Sequence, residues 1–347
     1  MAGLTTGATA AAAGIDYSDN VQILERANGS LDINGDNGNN HVEVCPFQGG
    51  YEILVYSNEG VQSTTVESVT TDLRVNLKGG HDTFGLNRHE CVDRLLGSDV
   101  VALDHYTVFP RDVRINLGSG DDDAYLFEVE VGDDLTVLAG SGADTAIVVD
   151  AEVADRFDVN MSSGDSFMVA AQVEAAKSSF RGGNNDDQFI FENSFLGKAP
   201  RILTLAGDDT VLGFGSGAEG RITTNTGNGD DVFGWAEDPG PCIDNPECCE
   251  EEECCGEEEC CEGPECCVDE QCCVGPNCIE PLIEEGYYFN LILGGGDDEA
   301  HFAIELISED RIQGGGGNGD FIGLESDGGA RINGFEFFGE PDYELFD

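Results

Sequence analysis

The sequence has very few basic residues. Lysine and arginine together number 15 against 70 aspartates and glutamates, so the 347-residue chain carries a formal net charge of −55 at pH 7. Such an acidic surface repels phosphate backbones and anionic headgroups, and we therefore expect no nucleic acid partner. A long apolar run is also missing, so no membrane span is predicted. What remains is a large acidic chain with 48 glycines, which is long enough to bury an extended core.

Catalytic patterns are scarce as well. The five histidines stand in neither a Ser-His-Asp order nor a metal-ligand spacing, and we predict that the chain is not an enzyme. Paired carboxylates occur throughout, and none is singled out for acid-base chemistry. The main enzyme alternative is a β-helical polysaccharide lyase or epimerase. Its polyuronate substrates are anionic and would need a basic groove, which 15 scattered basic residues do not supply.

The first residues lack the pattern of a secretory signal peptide. Residues 1–13 have neither a basic region nor an apolar core. We expect either that a signal has been removed or that export uses an uncleaved C-terminal signal. Residues 1–20 are predicted to be a tail that is flexible or docked on a partner.

A glycine-aspartate turn returns about every 22 residues. Two copies read Gly118-Ser-Gly-Asp-Asp122 and Gly140-Ser-Gly-Ala-Asp144, and Asn40 is a degraded first member. The aspartates that close the turns are Asp82, Asp122, Asp144, Asp165, Asp187, Asp209, Asp231, Asp298 and Asp320. A fixed period of this size is typical of a solenoid, in which each repeat is one coil stacked on its neighbours.

Short strands flank each turn. Two and four residues after the aspartate the side chains are nearly all apolar, as in the pairs Ala124/Leu126, Phe167/Val169 and Phe233/Trp235. This alternation predicts a strand with one buried face. The predicted fold is all-β, a right-handed parallel β-solenoid with coils of about 22 residues over 21–238. It continues over 283–347 with a C-terminal cap, and a Cys/Glu-rich insert at 239–282 interrupts it.

The stacked turns predict a calcium site. Coils about 4.8 Å apart place carboxylates in a column, where neighbours repel by about 3 kcal/mol at an effective dielectric near 20. Cations between the turns would relieve this repulsion, and hard oxygen ligands suit Ca²⁺. At any single turn, a role for aspartate as a turn residue alone is an equally good explanation. The predicted ligands are Asp82, Asp121, Asp122, Asp144, Asp165, Asp186, Asp187, Asp208, Asp209, Asp230, Asp231, Asp297, Asp298 and Asp320.

The turn sequence Gly-x-Gly-Asp-Asp-x-apolar-x-apolar resembles the nonapeptide of hemolysin-type (RTX) proteins. That family implies a parallel β-roll with Ca²⁺ held between turns. The resemblance covers about residues 30–235 and 289–325. The family repeats every nine residues, whereas this chain repeats every 22, which is closer to the longer-coil β-helix repeats of bacterial surface proteins.

Twelve of the fourteen cysteines lie in the insert at steps of six residues. They are Cys242, Cys248, Cys249, Cys254, Cys255, Cys260, Cys261, Cys266, Cys267, Cys272, Cys273 and Cys278. Glutamate fills most of the intervening positions, so covalent links or metal must order the segment, and we predict disulfide staples of open connectivity. A thiolate metal site is the alternative, but the segment has no histidine and its acidic residues disfavour thiolates. Cys45 and Cys91, about two coils apart, would pair only if the intervening coil is displaced.

These observations predict an exported calcium-binding structural protein, located outside the cell or on its surface. We expect head-to-tail self-association into a fibre or surface layer, because an uncapped solenoid exposes strand edges. A cell-surface polysaccharide is a second candidate partner. Alternatives are the lyase or epimerase and a surface adhesin or metal-binding protein.

Overall fold

The computed structural model describes residues 5–7, 20–47, 50–87, 107–237, 287–317, 319–326, 329–335 and 337–339. Every regular element within these ranges is a strand, and no helix there is long and apolar enough to cross a bilayer. The strands are β1 Thr5–Gly7, β2 Gln22–Glu25, β3 Leu31–Asn34, β4 His41–Phe47, β5 Gly50–Ser57, β6 Gly60–Val66, β7 Leu73–Asn76, β8 Thr83–Leu86, β9 Thr107–Phe109, β10 Val113–Ser119, β11 Asp123–Val131, β12 Leu135–Ser141, β13 Thr145–Asn160, β14 Phe167–Arg181, β15 Gln188–Glu192, β16 Phe195–Lys198, β17 Arg201–Leu203, β18 Thr210–Phe214, β19 Gly217–Glu219, β20 Arg221–Asn225, β21 Val232–Ala236, β22 Tyr288–Ile292, β23 Glu299–Glu305, β24 Arg311–Gln313, β25 Phe321–Ser326, β26 Arg331–Asn333 and β27 Phe337–Gly339.

Two stacks of parallel strands run through the molecule, one on each side of the Gly-Asp turns. Before the turn, the pairing order is β3, β7, β10, β12, β13, β14, β17, β20, β22, β24 and β26. After the turn, it is β4, β8, β11, β13, β14, β15, β18, β21, β23, β25 and β27. Val113 pairs with Leu135, for example, and Thr210 with Val232. The parallel β-solenoid with a period of about 22 residues is confirmed, and its handedness stays a prediction.

The long strands β13 and β14 bend around the coil and contribute to both stacks. They also form part of a third, shorter stack on the return side, in which Val129 pairs with Ala151 and Glu174 with Phe195. The interior is one continuous apolar core that includes aromatic rings from successive coils. Trp235 is fully buried and donates its Nε1–H to the Ser216 carbonyl at 2.9 Å. Burying each such ring contributes about 2–3 kcal/mol, so the stack is held together along its whole length.

Most of the predicted inward faces are observed. Ala124 and Leu126 are fully buried, as are the corresponding residues of the other strands, except that Leu324 is partly buried and that the pair of one further coil differs. There the predicted pair Phe167 and Val169 is wrong by one residue, because Met168 and Ala170 fill the core and the predicted pair faces outward, half-buried. The reason is that this coil is in register on Ser166 instead of Asp165.

Antiparallel strands surround the N-terminal end of the solenoid. β2 pairs with β3, while β5 pairs with β4 on one side and with β6 on the other, all antiparallel. β1 adds to β6 in the same sense. Residues 50–66, which the predicted boundaries place inside the solenoid, therefore leave the coil as a hairpin.

The predicted cysteine insert lies outside the described residues, and Cys91 does too. Cys45 is the only cysteine within them. It is disulfide-bonded and packs beside Leu54 and Val61 under the hairpin.

Candidate functional site

The Gly-Asp turns are stacked so closely that their glycines cannot be replaced without strain. Gly142 has φ 137°, and a Cβ at this position would lie 1.7 Å from the carbonyl oxygen of Gly120 on the neighbouring coil. Its backbone N–H donates to the carbonyl of Ser163 on the next coil at 2.8 Å. A positive φ and a close approach of backbones both require glycine. The turns are thus in register, and each turn residue faces its equivalent on the next coil.

One residue of each turn forms a column inside the protein, which we call the buried row. Its members are at most 3 % exposed. They are Asn40, Asp82, Asp122, Asp144, Ser166, Asp187, Asp209, Asp231, Asp298 and Asp320. The register around Ser166 is fixed by the backbone, because Phe167 N–H donates to Asp144 O and Gln188 N–H donates to Ser166 O, each at 2.8 Å.

Hydrogen bonds join the buried row in a single direction. The backbone N–H of each member donates to a side-chain oxygen of the member on the next coil. Asp82 N–H donates to Asp122 Oδ1 at 2.7 Å, and Asp187 N–H to Asp209 Oδ1 at 2.8 Å. The bond from Asp231 to Asp298, at 3.0 Å, continues the pattern across the predicted insert. One oxygen of every carboxylate is therefore satisfied by the protein itself.

The residue before each of these forms a second column, the exposed row, with hydrogen bonds in the opposite direction. Here a side chain accepts from the backbone N–H of the following coil, as in Asp208 N–H to Asp186 Oδ1 at 2.8 Å and Asp230 N–H to Asp208 Oδ1 at 2.9 Å. Its members are Asn39, His81, Asp121, Ala143, Asp165, Asp186, Asp208, Asp230, Asp297 and Gly319. The structure thus places Asp165 in the exposed row, next to Ser166 of the buried row.

Among the residues that the structure describes, the second oxygen of most buried-row carboxylates has no hydrogen-bond donor. These atoms are Oδ2 of Asp82, Asp122, Asp144, Asp209, Asp231, Asp298 and Asp320. Asp187 is the exception, because its Oδ2 accepts from Gly183 N–H at 2.6 Å. Within the described ranges, no lysine, arginine or histidine nitrogen lies within ion-pair distance of a buried-row carboxylate. Seven buried anionic oxygens thus face their surroundings without a positive counterpart from the described residues.

The two neutral members of the buried row show what these surroundings are. Asn40 Nδ2 donates to Gly38 O at 2.6 Å and to Asp82 Oδ1 at 3.0 Å. Ser166 Oγ donates to Gly164 O at 3.3 Å. In both cases the side chain supplies a hydrogen to the carbonyl two residues earlier in the turn. An ionised aspartate has no hydrogen to offer to that carbonyl. Its second oxygen is instead satisfied by a donor, such as Gly183 N–H for Asp187, by a proton or by a metal cation.

Burial raises the pKa of seven buried-row aspartates from an ordinary value of 3.8. Desolvation raises the pKa of Asp122, Asp144 and Asp209 to about 7, with a further contribution from neighbouring aspartates. The pKa of Asp82, Asp187 and Asp298 is raised to about 6 for the same reason, and that of Asp231 is raised. Backbone hydrogen bonds oppose part of each shift. The hydroxyls of Thr204 and Thr226 lie near Asp209 and Asp231 and also lower their pKa in part. Neither hydroxyl makes a well-formed hydrogen bond to the second carboxylate oxygen, since Thr204 Oγ1 donates to Thr226 O at 2.9 Å. Above pH 7 the row must hold several negative charges or acquire cations.

The residues present fit a divalent cation. A single buried-row carboxylate per coil cannot fill a calcium shell of six to eight oxygens. In the aspartate coils, the turn carbonyls equivalent to Gly38 O and Gly164 O are oxygens of the required kind. Calcium would be held by the free oxygens of the buried row together with these carbonyls. Bound there, it would supply positive charge and fix the spacing of neighbouring turns.

A second acidic group lies at the corner that precedes the first stack. Oxygens of Asp133, Asp134 and Asp155 lie within 4.8 Å of one another, the only such group of three among the described residues. All three are partly exposed, and Lys177 binds Asp155 and holds its pKa below the ordinary value. The repeat analysis missed this group because no Gly-Asp turn marks it.

The predicted ligands therefore divide into two sets. Asp82, Asp122, Asp144, Asp187, Asp209, Asp231, Asp298 and Asp320 lie in the buried row, and Asp121, Asp165, Asp186, Asp208, Asp230 and Asp297 lie in the exposed row. No protein-family model, no curated protein and no solved structure matches the chain.

Proposed function

We propose that this protein is a calcium-stabilised structural β-solenoid that works outside the cell. The observation that carries the proposal is the buried row, with seven aspartate oxygens that lack a donor. A chain with 70 acidic and 15 basic residues has few side-chain cations to place there. Calcium is the divalent ion that suits a site of carboxylate and carbonyl oxygens.

The proposed location follows from the ion and from the cysteine chemistry. Weak or moderate calcium sites fill where calcium is abundant, as it is outside cells. Cys45 is disulfide-bonded, and such bonds persist in oxidising compartments. Both features support an extracellular or cell-surface protein.

The two ends of the solenoid bear on assembly into a fibre or surface layer. Within the described residues, β26 and β27 pair on one side only and offer parallel edges at the C-terminal end. The N-terminal end differs, because antiparallel strands β2 and β5 cover the first strands β3 and β4. A head-to-tail contact would therefore join a parallel edge to an antiparallel one.

Calcium titration of the full-length chain tests the proposal. We expect heat of binding in calorimetry after removal of metals with a chelator, and an unfolding temperature that rises with calcium through linkage. Asp144→Asn, in the buried row, should reduce the number of ions bound. The matched control Asp208→Asn removes one charge from the exposed row and should leave that number unchanged. Absence of both heat and thermal shift in the wild-type protein would refute the proposal.

Microscopy tests the assembly separately. Negative-stain images with calcium should show rods that join end to end or side by side. Single rods of one length in calcium would exclude the fibre and leave the calcium-stabilised solenoid standing.

A further inference from the structure

The buried row is interrupted once, between Asp144 and Asp209. Ser166 brings a neutral hydroxyl to the first position of the gap, and its Oγ donates to Gly164 O. At the second position, Asp187 Oδ2 accepts a hydrogen bond from Gly183 N–H. These two members of the buried row thus present no donor-free anionic oxygen, although the backbone hydrogen bonds of the row continue through them at 3.1 and 2.8 Å.

The gap separates two sets of donor-free aspartates. The first set is Asp82, Asp122 and Asp144, and the second set is Asp209, Asp231, Asp298 and Asp320. Asp144 and Asp209 are three coils apart, which corresponds to about 14 Å at the strand spacing of a sheet. Within each set, neighbours are one coil apart, about 4.8 Å. Interactions between members of one set are therefore much stronger than interactions across the gap.

The first set also has a neutral N-terminal end. Asn40 donates both its backbone N–H and its side-chain Nδ2 to Asp82 Oδ1, at 2.7 and 3.0 Å. An amide therefore closes the set on one side, and Ser166 closes it on the other, where Asp144 N–H is 3.5 Å from Ser166 Oγ. The first set is thus bounded by neutral side chains at both ends.

We propose that Ser166 and the Gly183–Asp187 contact divide the row into two groups of calcium sites, and that the two groups fill independently of each other. This inference rests on the proposed function, since it assigns calcium to the same aspartates. The first group orders the coils next to the N-terminal hairpin, and the second group orders the coils on either side of the predicted insert. Loss of calcium from one group leaves the other group loaded.

Hydrogen exchange read by mass spectrometry, on the full chain during a calcium titration, tests the separation. Asp122→Asn should raise the calcium concentration that protects residues 113–149 by about tenfold and leave the value for residues 210–236 within about twofold, because distant sites act additively. Asp231→Asn should do the reverse. The matched controls Asp121→Asn and Asp230→Asn change the exposed row of the same two coils and should shift neither value.

Joining the two groups of sites is a second test. Ser166→Asp adds a carboxylate between them and should make calcium protection of the two regions rise closer together. Ala143→Asp adds the same charge in the exposed row of the adjacent coil and should keep them apart. The exchange results for the two asparagine variants decide the question even if Ser166→Asp does not fold.

The outcomes separate this inference from the proposed function. Calcium protection that weakens equally in both regions in Asp122→Asn would refute the division while leaving calcium binding in place. A wild-type chain whose exchange does not respond to calcium would refute the proposed function and the division together.

Discussion

Replacing Asp122 by asparagine should stabilise the protein when calcium is removed and the pH is high. Asparagine keeps the oxygen that accepts from Asp82 N–H, now at 2.7 Å. Its amide nitrogen replaces the donor-free oxygen and can donate to the turn carbonyl, as Asn40 does with Gly38. The substitution removes a buried negative charge and supplies the missing hydrogen in one step.

The size of the effect follows from the pKa. Burial raises the pKa of Asp122 from 3.8 to about 7, and the folded state therefore binds this proton more tightly than the unfolded chain does. The stability that protonation contributes is complete below pH 3.8 and is lost as the pH rises through about 7. Holding the carboxylate ionised costs about 4 kcal/mol at most. Because neighbouring aspartates share the repulsion, we expect Asp122→Asn to gain about 2 kcal/mol at pH 8.

Urea unfolding followed by circular dichroism measures this gain in chelator at pH 8 and again at pH 4.5. The gain should be present at pH 8 and nearly absent at pH 4.5, where Asp122 is protonated. The control Asp121→Asn, one residue earlier in the exposed row, should change stability by less than about 0.5 kcal/mol. Saturating calcium should reverse the order, since the variant lacks a ligand. A variant that is destabilised in chelator to the same extent at both pH values would refute the reasoning.

The remaining predictions concern pH, the turns and the core. Calcium-free wild-type protein should lose stability steadily between pH 5 and pH 8 in thermal melts, because six buried-row aspartates have a pKa raised to about 6 or 7; a flat profile would contradict this. Gly227→Ala should cost more than about 3 kcal/mol in urea unfolding, since φ is 103° and the new Cβ would lie 1.6 Å from Leu205 O. Gly220→Ala, with φ 89° in open space, should cost only about 1 kcal/mol, and equal costs would argue against close stacking of the turns. Trp235→Ala should cost about 3–5 kcal/mol, and a smaller loss would mean that the core is less tightly packed than described.

The 22-residue period could be predicted from the sequence because each coil must repeat the same turn. Gly120 and Gly142 need positive φ and close approach, so glycine marks these turns, and the buried strands follow at fixed distances. For the same reason Asp122 and Asp144 were identified from spacing alone. The register of such coils can be predicted from the sequence, because the turn glycines and the alternation of apolar residues indicate the same alignment.

The coil at Ser166 shows why the alignment of some turns could not be predicted from the sequence. Its turn places an aspartate at the exposed row and a serine at the buried row, and a search for aspartate selects Asp165. Both side chains fit the turn, and only the backbone pairing on the neighbouring coils distinguishes them. The hairpin β5–β6 was missed although the sequence carries its signal. Only Asn58 and Glu59 separate Ser57 from Gly60, and a two-residue connection joins neighbouring strands only in antiparallel order.

The sequence also did not show which aspartate of a paired turn is buried and which is exposed. Asp208 and Asp209 are adjacent and chemically identical, yet one is exposed and one is 1 % exposed with a donor-free oxygen. Which of the pair points inward depends on the turn backbone. Residue type does not distinguish the two rows either, because asparagine replaces aspartate in both, at Asn39 of the exposed row and at Asn40 of the buried row.

The most direct test of the account is a crystal structure of the full chain grown with calcium at pH 8, with the ions located by anomalous scattering. We expect anomalous peaks beside the donor-free oxygens of the buried row, between Asp82 and Asp144 and between Asp209 and Asp320, with none at Ser166. A buried row with ordered carboxylates and no peak along its length, at saturating calcium, would contradict the claim that divalent cations hold these turns together.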